Sequence, residues 1–395
     1  MNILENLNEN QSKAVLATDG PLLILAGAGS GKTRVITHRI AYLIREKGVP
    51  PFAIMAVTFT NKAAGEMRSR IIDLIGPLGE QVFMKTFHSA SVFILRRYGN
   101  IIGVPSGFTI YDQRDQEMLI KDILIEKNLD PKKIRPTIIA SKISEVKDRA
   151  EILEGGDVNS LLPDYYSFSL ADIYEQYQLR LTASNALDFN DLLIKTVELL
   201  RKSPETLAAL QKKWRYFMID EYQDTNYSQY LICKYLASAS RNLCVVGDDD
   251  QSIYSWRGAD VRNILNFEKD YSDARVITLG DNYRSTIQIL AVASSIIQKN
   301  KFRKEKMLNA FRGEGEPAVW CQANNEYGEA EYVVNTLISL KHREALKNDD
   351  FAIFYRTNAQ SRIFEEYLRR ENIPYRVVGG LRFYDRKEIR DILAY

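Results

Sequence analysis

The segment AGAGSGKT, residues 26–33, contains the residue types that indicate chemistry most directly. Its three glycines allow backbone N–H groups to surround a phosphate without obstruction by a Cβ atom, and the helix predicted to follow presents the positive end of its dipole. We expect Lys32 to reach the β and γ phosphates and the Thr33 hydroxyl to bind Mg²⁺. The first position of this pattern is usually glycine and here is Ala26. A glycine-rich turn with a surface lysine is the alternative interpretation.

A second chemical signal is the segment DEYQD, residues 220–224, directly after the apolar run YFMI. In phosphate-loop enzymes an Asp at the end of a neighbouring apolar strand holds Mg²⁺, and Asp220 fits this role. Glu221 would then lie near the metal and the γ phosphate, where it could accept a proton from an attacking water. An acidic, solvated turn after a buried strand is the alternative.

A third signal is the segment VVGDDDQSIYSWRGAD. Gln251 follows three acids at a predicted strand edge, where its amide could sense the γ phosphate. Tyr254, Trp256 and Arg257 are of the types that form a stacking platform for unpaired bases, although packing in a core is the alternative for the aromatics. We interpret the acids 248–250 as solvated strand-end caps rather than as a metal cluster, because no His or Glu stands at ligand spacing.

Apolar runs alternate with long amphipathic stretches along the chain, which is typical of strands joined by helices in a parallel sheet. Six of these runs are predicted strands, and nearly all end at small, polar or charged residues. Because open α/β folds bind ligands at the carboxyl edge of the sheet, we expect the three signals to lie at that edge. The predicted strands are residues 21–27, 53–60, 82–89, 216–222, 242–249 and 274–280.

Strand-like runs stop between about residue 92 and residue 212, which predicts a helical domain inserted into the sheet domain. Its predicted helices include QEMLIKDILIEKNL, DIYEQYQLRLTA and FNDLLIKTVELLRK. A second α/β unit is predicted to follow, and the final residues DRKEIRDILAY are predicted to be helical. In that unit we expect strands at 316–323, 350–357 and 374–380 and helices around 327–340 and 360–371.

Composition limits the class of protein. With 395 residues and 45% hydrophobic content, the chain can bury cores in two or three domains, which excludes general disorder. The 53 basic and 51 acidic residues nearly cancel, so any polyanion site must be local. The three cysteines follow no metal-binding spacing and suit a reducing compartment. Without a secretory leader or an apolar run of about 18 residues, we expect a cytoplasmic protein with no membrane segment.

Ten segments occur in the order found in a known family. They resemble the motifs of the superfamily 1 DNA helicases of the UvrD, Rep and PcrA group, and so many ordered motifs make chance agreement negligible. The segments are LNENQSKAV (7–15), AGAGSGKTRV (26–35), AVTFTNKAAGEM (56–67), TFHS (86–89), ALDFNDLL (186–193), IDEYQDTN (219–226), VVGDDDQSIYSWRGAD (245–260), LGDNYRST (279–286), YRTNAQSR (355–362) and GGLRFYDRKEIRDILAY (379–395).

The resemblance implies ATP and Mg²⁺ as cofactors. Gln11 matches a glutamine that reads the adenine edge, and Arg34 and Tyr283 match residues that sandwich the ring. Arg284 matches an arginine that contacts the γ phosphate as an electrostatic stabiliser, and Gln251 is expected to couple the nucleotide state to the grip on DNA. The catalytic residues expected are Lys32, Glu221, Gln251 and Arg284; the ATP-binding residues are Gln11, Ala26, Gly27, Ala28, Gly29, Ser30, Gly31, Lys32, Thr33, Arg34, Tyr283 and Arg284; the metal ligands are Thr33 and Asp220.

The resemblance also implies single-stranded DNA, and single-strand/double-strand junctions with 3′ tails, as partners. ATP would draw two RecA-like domains together and move the protein 3′ to 5′, splitting duplex ahead of it. Base stacking and phosphate contacts should dominate binding, so sequence preference should be weak. Repair or replication proteins are candidates for further partners. The residues that match the single-strand path of the family are Phe59, Asn61, Thr86, His88, Phe189, Tyr254, Trp256, Arg257, Arg356 and Asn358.

The fold class implied is α/β, a RecA-like phosphate-loop NTPase with a parallel sheet, an inserted helical domain and the first part of a second RecA-like domain. The expected domains are 1A at 1–91 and 213–283, the helical 1B at 92–212, and a truncated 2A at 284–395. Later motifs of the family, among them an arginine that reaches the γ phosphate from across the cleft, have no counterpart in this sequence. Losing such an arginine can cost about 10³ to 10⁵ in rate, so we expect this chain alone to be a weak or inactive motor.

Two alternatives for the function stay open at this point. The chain could be a fragment that binds ATP and single-stranded DNA without turnover, which ATPase rates with and without DNA would distinguish from an active motor. It could also be the helicase part of a helicase-nuclease of the RecB or AddA type. The compact spacing of the motifs argues against the second alternative, because those chains typically carry larger insertions.

Overall fold

The structure is a computed structural model that describes residues 2–149, 164–165, 168–301, 303–378 and 392. Contacts divide the chain into two units, Met1–Glu316 and Pro317–Tyr395. The strands of the described residues are β1 (Leu22–Ala26), β2 (Ile54–Thr58), β3 (Phe83–Thr86), β4 (Thr109–Ile110), β5 (Asp164–Tyr165), β6 (Phe168–Ser169), β7 (Ala186–Leu187), β8 (Tyr216–Ile219), β9 (Leu243–Gly247), β10 (Arg275–Leu279), β11 (Asp281–Asn282) and β12 (Asn309–Ala310).

Many helices begin at a side-chain cap that the sequence supplies. Asn8, Asp112, Asp188 and Asn226 each form a capping box, in which the cap side chain and the third helical residue bond each other's backbone N–H. The helices of the described residues are α1 (Glu9–Leu16), α2 (Lys32–Arg45), α3 (Asn61–Ile75), α4 (Phe87–Tyr98), α5 (Gln113–Glu126), α6 (Pro136–Lys147), α7 (Leu170–Ala183), α8 (Phe189–Lys202), α9 (Pro204–Lys213), α10 (Tyr227–Ala237), α11 (Arg262–Leu265), α12 (Phe267–Asp270), α13 (Ile287–Ile297), α14 (Glu326–Glu344) and α15 (Asn358–Arg370). Within the described residues, none of these helices has the length and apolarity needed to cross a bilayer.

Strands β10, β1, β9, β8, β2 and β3 form one parallel sheet in that order. Each of the six strands predicted before residue 281 is one of these, so the α/β class with a parallel sheet is confirmed. The observed strands are shorter than predicted because their polar ends leave the ladder. The segment predicted as a strand through residue 89, for example, ends at Thr86, whose side chain caps α4.

Both faces of this sheet are buried against helices. Leu23 and Leu25 of β1 belong to one apolar cluster, whereas Leu22 and Ile24 belong to the cluster on the opposite face. A parallel sheet covered on both faces needs apolar residues at every strand position, which explains the continuous apolar runs in the sequence. The two apolar clusters hold the sheet in place, and they thereby set the positions of the loops that follow the carboxyl ends of its strands.

The region between the two parts of the sheet is mainly helical, as predicted. Helices α5, α6 and α7 share an apolar cluster that contains Ile120, Ile143 and Tyr177. The prediction that strands stop here is wrong in detail, because β4 pairs with β7 and β5 with β6. These ladders are two residues long, too short to leave a periodic signal in the sequence.

In the second unit, α14 and α15 pack through Val334, Leu337 and Leu368 and confirm the two predicted helices. The strands predicted at 316–323 and 350–357 are wrong, and none is present in the described part of 374–380. Their residues have strand propensity, but a strand exists only when a neighbour completes its ladder, and in the described residues none does. The predicted helix DRKEIRDILAY lies outside the described residues apart from Ile392.

Candidate functional site

The turn between β1 and α2 has a backbone that requires glycine. Gly29 and Gly31 have φ of +67° and +89°, a left-handed conformation that glycine adopts without strain. A Cβ on Gly29 would lie 2.6 Å from the Cβ of Arg284, and one on Gly31 would lie 2.8 Å from Nε2 of Gln11. Helix α2 begins at Lys32, so the positive end of its dipole points to the turn. The turn has the properties of an anion site.

Three side chains hold the carbonyl oxygens of this turn. Ser30 Oγ donates to the Gly27 carbonyl at 2.7 Å, and Gln11 Nε2 donates to the Ser30 carbonyl at 2.9 Å. Asn282, at the end of β11, donates from Nδ2 to the Ala28 carbonyl. Asn282 had no predicted role, because nothing in the sequence connects it to a loop more than 250 residues earlier. With its carbonyls held, the turn can direct N–H groups toward a phosphate.

Lys32 and Glu221 meet at the carboxyl edge of the sheet. Lys32 Nζ lies 2.6 Å from Glu221 Oε2, and their side chains are 12% and 35% exposed. Glu221 has φ of +51°, which is unusual for a residue with a Cβ and is typical of functional sites. The structure therefore brings together the glycine turn and the acidic pair that the sequence interpretation expected at one site.

Asp220 has the environment of a candidate metal ligand. Burial raises the pKa of Asp220 to about 7; the Glu221 carboxylate adds to the rise and the Lys32 ammonium opposes it. A divalent cation would relieve the cost of two adjacent carboxylates, and Mg²⁺ prefers oxygen ligands. Thr33, the second residue of α2, is half-buried and offers a hydroxyl. These residues fit Mg²⁺, and their role as its ligands stays a prediction.

The acids that follow β9 are not solvated, so that part of the prediction is wrong, whereas Asp248 does cap the turn after the strand, with its Oδ1 accepting from Asp250 N at 3.2 Å. Asp248 and Asp249 are buried, and Lys306 Nζ contacts Asp248 Oδ1 at 2.6 Å, Asp250 Oδ2 at 2.9 Å and also Asp249. Arg303 adds two hydrogen bonds to Asp250, both of 3.1 Å. Buried carboxylates need compensating charge, and here an ammonium that is 2% exposed supplies it. The partners could not be read from the sequence because they lie more than 50 residues away.

The residues expected to hold the adenine ring lie beside the turn. Tyr283 N donates to the Gly29 carbonyl at 3.0 Å, and Asn8 Nδ2 donates to the Tyr283 hydroxyl at 2.8 Å. Gln11 is 2% exposed, and its Oε1 accepts from Asn8 N at 3.1 Å. The Gln11 amide is thus engaged with its own helix and with the turn, and its reading of adenine stays a prediction. The other predicted residues here, Arg34 and Arg284, are exposed.

Three of the predicted DNA-binding aromatics form one row. The rings of Phe59 and Tyr254 are stacked with centroids 5.0 Å apart, and the ring of Trp256 follows at 6.3 Å from Tyr254. Trp256 is 66% exposed, so the row ends in solvent rather than in the core. Phe59 directly follows β2, and the other two aromatics follow β9. Because these strands are parallel to β8, the row lies at the same carboxyl edge of the sheet as Glu221. The arrangement offers ring faces on which unpaired bases could stack.

A second aromatic pair involves His88 and Phe189. Their rings meet edge to face at 5.6 Å, Phe189 is 46% exposed, and burial lowers the pKa of His88. Thr86 is the cap of α4, where its Oγ1 accepts from Ser89 N at 3.2 Å, a structural role beside the predicted one. Asn61 begins α3 and is exposed.

The remaining predicted DNA residues are Arg257, Arg356 and Asn358. Arg356 and Asn358 belong to the second unit, where both are exposed and Asn358 begins α15. Arg257 ends a short 3₁₀ turn, Ser255–Arg257, and its side chain lies outside the described part of the chain. Their contact with DNA stays a prediction.

Comparison with known proteins identifies the family. The model of the UvrD/REP helicase N-terminal domain matches residues 7–272, and that of the UvrD-like helicase C-terminal domain matches residues 277–395. The chain belongs to the UvrD/Rep helicase family. It is 50% identical over 394 residues to proteins named ATP-dependent DNA helicase PcrA from Staphylococcus aureus strain Mu50 and Staphylococcus epidermidis strain RP62A. These alignments cover 100% of this chain and 53% and 54% of the relatives, so the chain spans about half their length.

Membership in the UvrD/Rep helicase family confirms the resemblance stated from the ten motifs. Gln223, within one of those motifs, is a further residue for which no role was predicted. Gln223 is buried between the ends of β8 and β9, where its Nε2 donates to Glu221 Oε2 and its Oε1 accepts from Asp248 N, both at 3.0 Å. A Cβ on Gly247 would lie 2.5 Å from that oxygen. An amide that both donates and accepts can join two acidic strand ends without adding charge. The only indication of this role in the sequence is the position of Gln223 among the acids of DEYQD.

Proposed function

We propose that this chain binds Mg²⁺–ATP and single-stranded DNA and forms the ATPase part of a DNA translocase that moves 3′ to 5′. The observation that carries the proposal is that two features share the carboxyl edge of the sheet. One is the contact of Lys32 with Glu221, and the other is the row of Phe59, Tyr254 and Trp256. Many nucleotide enzymes have a phosphate turn, whereas a partly exposed aromatic row is typical of proteins that bind single-stranded nucleic acid. Membership in the UvrD/Rep helicase family and the names of the relatives support the same function.

The hydrolytic step follows from the ion pair at the turn. An ATP phosphate tail competes with Glu221 for the Lys32 ammonium, and the glycine turn supplies further N–H donors. Once released from Lys32, Glu221 is free to accept a proton from the attacking water. Mg²⁺ held by Thr33 and Asp220 would neutralise phosphate charge. Arg284 would stabilise the charge that develops on the γ phosphate.

Motion along DNA would use the residues that follow the next strands. Gln251 lies three residues before Tyr254, so a shift of its amide in response to the γ phosphate would be passed to the aromatic row. We propose the domain division 1A at 1–91 and 213–283, 1B at 92–212 and 2A at 284–395 as the frame of this motion. The bases would stack on the row with little sequence preference.

The test is ATP hydrolysis with and without oligo(dT), measured for this chain, for Lys32→Ala, and for a chain extended by the portion of the relatives that it does not match. We expect the extended chain to show strong stimulation by DNA and this chain to show weak stimulation. Substrates with a 3′ or a 5′ tail then give the direction of unwinding. Stimulation that survives Lys32→Ala would remove the phosphate-turn assignment.

A second candidate function is binding of ATP and DNA without turnover. It is favoured by the lack of any strand in the described residues of Pro317–Tyr395, together with the span of about half the relatives. In that case equilibrium binding of a fluorescent ATP analogue and of oligo(dT) should be measurable, while hydrolysis stays at the background rate. Hydrolysis by this chain that is lost in Lys32→Ala would exclude this candidate.

A further inference from the structure

Residues 303–311, here named the basic connector, follow α13 and end just after β12. Their sequence, RKEKMLNAF, was not assigned a role from its residue types. In the structure they run between three parts of the candidate site: the acids after β9, the glycine turn after β1, and the strand that leads to Tyr283. The basic connector contacts each of these three parts through different residues.

The first end of the basic connector lies on the acids. Lys306 is 2% exposed and contacts the carboxylates of Asp248, Asp249 and Asp250. The backbone N–H of Lys304 adds a bond of 2.7 Å to Asp249 Oδ2. Because three carboxylates surround one ammonium, the charge of Lys306 offsets their mutual repulsion in a place where water has little access.

The middle of the connector lies on the glycine turn. A Cβ on Gly27 would lie 2.2 Å from Cδ2 of Leu308, so Leu308 uses the space that the missing side chain leaves. A Cβ on Gly280 would lie 2.8 Å from the carbonyl oxygen of Met307, and Asn309 N donates to the Gly280 carbonyl at 2.8 Å. The glycine at position 27 therefore makes room for Leu308, in addition to any role that it has in binding a phosphate.

The last part of the connector supports Tyr283. Strand β12 pairs with β11, and Phe311 N donates to the Asn282 carbonyl at 2.8 Å. The ring of Phe311 lies 4.9 Å from that of Tyr283. Asn282 itself bonds the Ala28 carbonyl, so this end also reaches the turn.

Gln251 is hydrogen-bonded to one of the acids that contact the basic connector. Its Nε2 donates to Asp248 Oδ2, while the other oxygen of that carboxylate contacts Lys306. A continuous path of contacts thus runs from Gln251 through Asp248 to Lys306, and along the connector to Leu308 on the glycine turn. The path has no side chain in common with the Lys32–Glu221 ion pair.

We propose that Lys306 is a positioning residue: it fixes Gln251 through Asp248 and ties that glutamine to the glycine turn, so that nucleotide binding at the turn changes the grip on DNA. The coupling part rests on the proposed function, whereas the fixing of the two loops does not. Removing the ammonium leaves Asp248 and Asp249 without a side-chain cation among the described residues, while Arg303 still holds Asp250, and the repulsion among the carboxylates frees Asp248 and the amide bonded to it. Lys306→Gln removes the charge and keeps a hydrogen-bond donor; Lys306→Arg keeps the charge.

Amide hydrogen exchange of the ligand-free chain tests the fixing of the two loops. We expect Lys306→Gln to accelerate exchange at residues 248–251 and 27–30 by about tenfold or more, and Lys306→Arg to restore most of the protection. Lys304→Gln is the matched control, because its side chain pairs with Glu268 rather than with the acids. Equal exchange in wild type and Lys306→Gln would overturn the proposal.

The affinity for oligo(dT), measured with and without a non-hydrolysable ATP analogue, tests the coupling. We expect the two affinities of the wild-type chain to differ on the order of tenfold, and those of Lys306→Gln to be nearly equal, although the analogue itself still binds. An unchanged ratio in Lys306→Gln would overturn the coupling. A wild-type chain that binds neither ligand would instead overturn the proposed function, and the exchange comparison would still decide the role of Lys306.

Discussion

The Lys32 ammonium lies 2.6 Å from the Glu221 carboxylate, so the proposed phosphate-binding cation and the proposed base are partners. Each satisfies the other's charge in a place where Lys32 is only 12% exposed. Under the proposed function, an ATP phosphate would replace Glu221 as the partner of Lys32 rather than meet a bare positive charge. That replacement would couple nucleotide binding to the release of Glu221.

Because of this ion pair, Glu221→Gln should affect ATP turnover and ATP affinity in different ways. We expect ATP turnover to fall by about 10²- to 10⁴-fold, because the acceptor of the water proton is lost. The affinity for ATP should be retained or increased, since Lys32 no longer has an anionic partner. Turnover and the binding of a fluorescent ATP analogue are the measurements, with Glu268→Gln as the control. Unchanged turnover in Glu221→Gln would remove the base assignment.

The glycine turn gives a second expectation with a matched control. Gly29→Ala should abolish ATP binding, because the new Cβ would lie 2.6 Å from the Arg284 Cβ and φ is +67°. Gly20 has φ of +80° but open space around it, so Gly20→Ala should cost only about 1 kcal/mol of stability and leave ATP binding intact. Titration with the ATP analogue and urea unfolding distinguish the two effects. Equal loss of binding in both variants would mean that backbone strain alone is responsible.

The sequence predicted the sheet well because each strand carries its own evidence. The apolar runs end two to six residues before Lys32, Glu221 and Gln251, and parallel strands bring such ends to one edge. That is why these residues could be assigned to one site before any distances were known. In the second unit the same signal failed, because strand formation at residues 316–323 depends on a partner and not on propensity.

The contacts that hold the site together could not be predicted. Lys306, Gln223 and Asn282 act through partners that are remote in sequence or buried, and nothing in a single sequence pairs a lysine with carboxylates more than 50 residues away. The solvated interpretation of the acids 248–250 failed for this reason. Long-range charge compensation becomes visible only when the fold is known.

The aromatic row gives an expectation for DNA binding. Trp256→Ala should weaken the binding of oligo(dT) by about 1 to 3 kcal/mol, because one stacking face is lost at the exposed end of the row. Trp320, which is 82% exposed and outside the predicted DNA path, supplies the control Trp320→Ala. Fluorescence anisotropy at two salt concentrations separates stacking from phosphate contacts. If both variants bind as the wild type does, the row is not part of the DNA path.

The buried lysine of the helical region gives an expectation for stability. Lys147 is 1% exposed and contacts Asp188 Oδ2 at 2.6 Å and Asp191 Oδ1 at 2.7 Å. Lys147→Met leaves both carboxylates buried without a cation and should cost about 3 to 5 kcal/mol in urea unfolding. Lys62→Met breaks an exposed pair with Glu66 and should cost less than about 1 kcal/mol. Similar costs for the two variants would show that the buried cluster tolerates uncompensated charge.

Asp148 joins the end of α6 to α8, which begins at the candidate DNA residue Phe189, and to the cap of α10. It follows α6, and its Oδ1 accepts from Asn190 Nδ2 at 2.9 Å and from Asn226 Nδ2 at 3.1 Å. Burial raises the pKa of Asp148 to about 6; Asp188 adds to the rise, whereas these two amides and Lys147 oppose it. The folded state therefore holds this proton at a pH where the unfolded chain has lost it.

The consequence is a pH-dependent cost that Asp148→Asn should remove. Because the folded pKa lies above the unfolded value of about 3.8, Asp148 destabilises the fold increasingly as pH rises from about 4 to 6, by up to about 3 kcal/mol. Below that range the carboxyl is protonated in both states and the cost disappears. Urea unfolding of wild type and Asp148→Asn at several pH values should show the variant gaining relative stability across this window. Asp273→Asn, at an exposed carboxylate, should show no such gain. A difference between Asp148→Asn and wild type that does not change with pH would mean that the two asparagine amides fully stabilise the Asp148 carboxylate.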